Sequence, residues 1–286
     1  MMTTEERENP VARALDYPYP REPQAVLFDP GSGPHAAAIV DIGPEREQVV
    51  QGIGRPLAVR AVAVAVERQV IEIEHAVALI AAGSNGSAVQ LARKWRQRRS
   101  APPILIAPAR ISGAVSVYSA HLARYGSVPA TMHRPVGAPR EGAHRDAATA
   151  DLPVLFLPAE ELGHMNATEA LGVNYVLAAP DGVTAEIGPV SVAGPLAYVS
   201  KRGALALDGD PVLLPETGGH TTGYRPAGQR EMIARVQRHA GDEGLLEDFI
   251  ARIIADEAAR KAIVETLPDP RHRWRLDRHE IVADGS

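Results

Sequence analysis

The stretch that most limits what this chain can fold into is Ala76-Val-Ala-Leu-Ile-Ala-Ala-Gly-Ser-Asn-Gly-Ser-Ala-Val-Gln-Leu91. An apolar run from Ala76 to Ala82 reads as a strand and stops at Gly83-Ser84-Asn85. A helical pattern follows at once, with Ala88, Leu91, Ala92 and Trp95 at i, i+3, i+4 and i+7. Strand, polar turn and helix start together aim several backbone N–H groups at one point, a small site for an anion or oxyanion. Many such turns bind nothing. Ser87 and Gln90 also read as a capping box, which explains the polar residues structurally. Arg93, Lys94, Arg96, Arg98 and Arg99 load the helix's C-terminal end, as dipole complementation on a solvated face would.

Composition narrows the function classes. The net charge of −5 and the lack of a basic stretch interleaved with aromatics argue against a nucleic-acid partner. With no cysteine, thiolate chemistry and disulfides are out. The ten histidines are scattered without ligand spacing, so neither a metal nor another cofactor is expected. No apolar run approaches a membrane span and no secretory pattern opens the chain, which makes the cytoplasm the expected location. The expected partner is a small-molecule substrate, with homo-oligomer formation left open.

Along the chain, Ala25–Phe28, Ala36–Ile42, Val59–Val66 and Val70–Ile73 read as strands before the Gly83 turn. Pro103–Ala107 and Val115–Tyr118 follow as strands, and 134–152 reads as a loop. A segment from Leu155 turns helical around Pro158–Glu161 and closes near Gly172. Asn174–Ala179, Val183–Ile187 and Leu196–Ser200 are further strands. Two C-terminal helices then carry Met232, Ile233 and Val236, and Leu246, Phe249, Ile250 and Ile253. The tail from Pro268 reads as solvated or partner-packed. Strands and helices do not alternate, so the class is α+β. The expected organisation is an irregular lead-in over 1–24, a core with an N-terminal strand extension over 25–225, and helices with a charged tail over 226–286.

A second signal sits in the 158–171 helix. Leu162, Met165 and Glu169 lie at i, i+3 and i+7, so they share a face that should pack on the body. Glu169 is then drawn into partly apolar surroundings, where desolvation raises its pKa towards that of a neutral-pH general base or acid. Swinging to solvent is its structural alternative, and Gly163 weakens the helix by about 1 kcal/mol. Glu160 and Glu161 read as ordinary first-turn surface acids.

These pieces, in this order, resemble the gamma-glutamylcyclotransferase-like superfamily over about residues 76–200. The resemblance rests on four segments. Ala82-Gly83-Ser84-Asn85 matches the family's Tyr-Gly-Ser-Asn turn, and Val128-Pro-Ala-Thr-Met132 with Pro135-Val-Gly137 matches a Thr- and Pro-bearing segment. Glu160-Glu-Leu-Gly-His-Met-Asn-Ala-Thr-Glu169 matches the acidic helix. Asn174-Tyr-Val176 and Ala197-Tyr-Val199 match the following strand pair. The resemblance implies a mixed β-barrel with flanking helices and a cavity between the turn and the acidic helix. Glu169 would be the general base that closes 5-oxoproline, and Gly83–Asn85 would hold a carboxylate or oxyanion.

Two departures stand out. Ala82 replaces the family's tyrosine, so that wall is missing or comes from elsewhere, with Tyr118, Tyr125 and Tyr198 as candidates. Ala170 follows the glutamate, with the usual glycine delayed to Gly172. Within 118–125, Tyr118, His121 and Arg124 are candidate substrate contacts, Arg124 being suited to a carboxylate. A structural role is the alternative for His121, and Lys201 and Arg202 read as exposed strand-end charges. An amide hydrolase on the same fold is one alternative function. A non-catalytic metabolite-binding protein is the other, favoured if Glu169 pairs with an arginine or if residues 1–75 fill the cavity.

Overall fold

The computed structural model describes residues 9–135, 148–221 and 223–285. Its strands assemble into one 14-stranded sheet and one four-stranded sheet. The backbone of the large sheet is three long neighbours, Gln69–Ile80, Ala148–Pro158 and Ile104–Ser112, paired antiparallel. These pairings are long-range: the chain leaves 69–80 through the Ala88–Trp95 helix to 104–112, and reaches 148–158 only after two strands of the smaller sheet. Leu196–Ser200 instead runs parallel to Gln69–Ile80 through Leu196↔Leu79 and Ala197↔Ile80. The main path runs from Val190–Ala193 at one end to Ile281–Ala283 at the other and does not close. The mixed α+β class holds, whereas the expected barrel is an open, branched sheet among the described residues.

Alternation along these strands builds two apolar layers. Val77, Leu79 and Leu155 face α2 (Ala88–Trp95) and α3 (Leu162–Thr168), while Ala76, Ala78, Ile80 and Val154 face the opposite core. Leu91 and Trp95 of α2 are fully buried, as the helical periodicity requires. A third apolar cluster joins both chain ends. It brings Ala14 of α1 (Pro10–Leu15) and Tyr17 against Phe249, Ile250 and Ile253 of α5 (Leu246–Ala255) and Met232 of α4 (Gln229–His239).

Several sequence expectations need correction. Asn9 caps α1 by accepting from the Val11 N–H at 3.0 Å, so the lead-in is helical from Pro10. Of the expected 134–152 loop, 148–152 is strand, held by Ala150↔Ile111 and Leu152↔Ala109; 136–147, with most of Pro135–Gly137, lies outside the described residues. A third C-terminal helix, α6 (Glu257–Val264), follows α5 and is capped by Asp256 on the Ala259 N–H at 2.9 Å. The tail is not merely solvated. Trp274 is buried, and Ile281–Ala283 adds a strand beside Tyr175–Ala178. No helix among the described residues is long and apolar enough to cross a membrane.

Candidate functional site

The Gln69–Ile80 strand delivers the chain to Gly83, where a single 3₁₀ turn over Ser84–Gly86 leads into α2. The carbonyls on its near side are tied down. Ser116 Oγ donates to the Ala82 carbonyl at 2.8 Å, and Arg21 Nη2 donates to those of Ala82 and Gly83 at 3.3 and 3.0 Å. Gly83 is required by space, since a Cβ there would collide with the Tyr17 hydroxyl. The expected capping box is absent: Ser87 makes no side-chain cap bond, and its buried Oγ has no partner among the described residues.

Glu169 closes the opposite side. It is the residue on which α3 ends, and its side chain is 15% exposed, turned towards the turn rather than to solvent. Asn85 Nδ2 donates to Glu169 Oε1 at 3.1 Å, joining residues 84 positions apart. The Lys94 ammonium forms an ion pair with the same oxygen, and the Lys94 side chain is only 9% exposed. The isolated acid in apolar surroundings is therefore a paired one. Lys94 lies just before Trp95 on α2, and its ammonium is committed to Glu169, so it is not part of a solvated basic face. Of that group, Arg98 is also committed, to Glu161, and the Arg93 guanidinium stacks 4.7 Å from the Tyr19 ring centre.

Turn and carboxylate together line a cavity of about 460 Å³. It is lined by Gly83, Ser84, Asn85, His121, Arg124, Glu169 and Tyr198, which gathers every expected site residue except Tyr118. Tyr118 is fully buried elsewhere and donates from its hydroxyl to the Ala227 carbonyl at 2.9 Å, pinning the segment before α4. The aromatic wall comes instead from Tyr17, Tyr125, Tyr175 and Tyr198. Tyr17 is the residue that sequence reasoning missed. Its hydroxyl accepts from the Ala130 N–H at 2.7 Å and lies over Gly83, next to Ala82. Burial, with the negative charge of Glu169 adding to it, pushes the Tyr17, Tyr175 and Tyr198 hydroxyls well above the usual phenol range. All three are neutral phenols, and two already donate within the protein, Tyr175 to the Ala130 carbonyl at 2.9 Å and Tyr198 to Asn166 Oδ1 at 2.7 Å.

His121 is pinned, with Nδ1 2.8 Å from Ser119 Oγ, which donates in turn to Ser200 Oγ at 2.8 Å. Burial, and then the charge of Arg202, pulls its pKa down to about 3, so the imidazole in the cavity wall is neutral. Arg124 is exposed at the mouth and forms no ion pair with a described residue. Lys201 and Arg202 are half-buried rather than free strand-end charges. Lys201 donates to the Gly172 carbonyl, and Arg202 pairs with Glu265 at 3.0 Å.

Glu161 is 3% exposed, not a surface acid: it accepts from Trp95 Nε1 at 2.8 Å and from Arg98 at 2.6 and 3.2 Å. Glu161→Ala orphans a buried indole N–H and should cost about 2–3 kcal/mol in urea unfolding. Ala170 adopts φ 50°, the left-handed region that favours glycine, at the position where the resembled family carries glycine. Ala170→Gly is expected to stabilise the protein by about 0.5–1 kcal/mol in the same assay.

Compared with family models, with curated proteins and with solved structures, the chain finds no match.

Proposed function

We propose that this chain is a cyclotransferase-like enzyme acting on a small γ-glutamyl or related amide, with Glu169 as general base. The observation that carries the reading is the Asn85–Glu169 hydrogen bond, which brings turn and carboxylate to one wall of one cavity. In the reaction, the substrate's α-amine attacks its own γ-carbonyl and a ring C–N bond forms. Glu169 accepts the amine's proton and returns it to the departing amine as the original amide bond breaks. Attack within one molecule means that positioning alone supplies several kcal/mol of the barrier. The N–H groups that open the Ser84–Gly86 turn have no intrahelical acceptor and suit the oxyanion developing on the carbonyl. Arg124 at the mouth suits a substrate carboxylate.

The Lys94–Glu169 pair favours a second reading, metabolite binding without turnover, because a counter-ion already satisfies the carboxylate. Against it stands the cavity, which Tyr17 walls but does not fill.

A pool of γ-glutamyl dipeptides, γ-glutamyl amines and simple amides, incubated with the protein and read by mass spectrometry, separates the readings. Gain of 5-oxoproline supports cyclisation. Gain of the open-chain acid identifies the amide hydrolase, and an unchanged pool favours binding alone.

A further inference from the structure

Behind the wall that Tyr175 and Tyr198 give the candidate site lies a second cleft, of about 490 Å³. Neighbouring residues on a strand point to opposite faces, so Val176 and Val199 turn away from those tyrosines. They floor this cleft together with Leu276 and Ile281. Its lining carries three cations, Lys201, Arg273 and Arg275, against one carboxylate, Asp284, and Lys201 is already held by the Gly172 carbonyl. The two arginines flank buried Trp274 on an extended segment and are both exposed.

Other cations nearby are engaged: Arg271 with Asp269 at 2.6 Å, Arg202 with Glu265 at 3.0 Å, and Arg134 over the Trp274 ring at 5.0 Å. Neither Arg273 nor Arg275 forms an ion pair or side-chain hydrogen bond with a described residue. On a chain of net charge −5, two unpaired guanidinium groups above an apolar floor are a local excess of positive charge.

We propose that this cleft binds an amphipathic organic anion. Its apolar body lies on Val176, Val199, Leu276 and Ile281, and its carboxylate or phosphate head meets Arg273 and Arg275. A guanidinium presents two parallel donors to either head group, which gives direction as well as charge. The volume of about 490 Å³ is that of a small-molecule site. The proposal does not depend on the chemistry assigned to Glu169.

The test titrates octanoate and octyl phosphate into the full-length protein by calorimetry, with tryptophan fluorescence to locate the site. Trp95 is fully buried with its N–H on Glu161, so a change in emission reports Trp274. Saturable binding of at least one anion is expected, and the one that binds identifies the head group. Arg273→Gln/Arg275→Gln should weaken it at least tenfold. Arg271→Gln, outside the lining, should leave it unchanged, and octanol should bind at least tenfold more weakly. If the double variant does not fold, each single substitution should weaken binding several-fold. Absence of saturable binding to the folded wild type, or variants binding as the wild type does, would overturn the proposal.

Discussion

Glu169→Gln is expected to lower turnover of a γ-glutamyl substrate by about 10²–10⁴-fold, the usual contribution of a positioned general base. The substitution is conservative in shape. A glutamine carbonyl still accepts from Asn85 Nδ2 and from Lys94, but it cannot take the substrate's proton. Lys94 loses its counter-charge while its side chain stays largely buried, so a stability loss of about 1–3 kcal/mol should accompany the kinetic one. The double variant Lys94→Met/Glu169→Gln separates the two effects. It should recover stability without recovering turnover. Recovery of both would make Glu169 a counter-ion to Lys94 and nothing more.

The second large effect is on acid stability. Burial holds His121 at about 3 and His133 at about 4, the latter helped by the nearby His272. His133 stacks against Tyr224 and bonds its hydroxyl through Nε2 at 3.2 Å, while His121 faces Ser119, the Tyr175 ring and Arg202. Both are depressed relative to an unfolded value of about 6.5. Below that value the unfolded chain binds protons that the folded chain refuses, so stability falls as pH falls. The loss starts near pH 6.5 and, for each histidine, continues until its folded value is reached. The slope approaches about 1.4 kcal/mol per pH unit for each histidine. Urea unfolding from pH 7 to pH 4.5 should show this decline above the range where carboxylates titrate. Substitution of His121 or His133 by asparagine should remove about half the slope. A flat profile would place both imidazoles in contact with water.

The parts of the site that sequence revealed are those encoded locally. The Ala76–Ala82 run, the Gly83–Asn85 break and the α2 periodicity lie within twenty residues, and each leaves its own mark. The inward face of Leu162 and Met165 was equally legible, and it carried Glu169 to the correct side although α3 stops one residue earlier. Partners distant in sequence were not legible. Nothing near Tyr17 points to Gly83, because the pairing follows from α1 docking on α5. Lys94 and Glu161 looked like solvated charges because a charge pattern does not reveal its counter-ion. The 148–152 strand was hidden by the Pro135, Gly137, Pro139 and Gly142 signals and the mixed charge before it, and the ladder position of Asp151 opposite Arg110 only the sheet reveals. The barrel implied by the resemblance failed for a topological reason. Sheet closure depends on which edges meet, and among the described residues the strands at the two ends of the path do not pair with each other.

The central claim is that the Gly83–Asn85 turn and Glu169 face one ligand. The most direct test uses ¹⁵N-labelled Glu169→Gln protein, in which substrate binds without being consumed, titrated with γ-glutamylalanine and followed by amide NMR. The Gly83, Ser84, Asn85 and Ala170 amides, with that of the substituted position 169, are expected to shift together along one saturation curve. Shifts at the turn without shifts at 169–170, or saturation that leaves both segments unmoved, would contradict it.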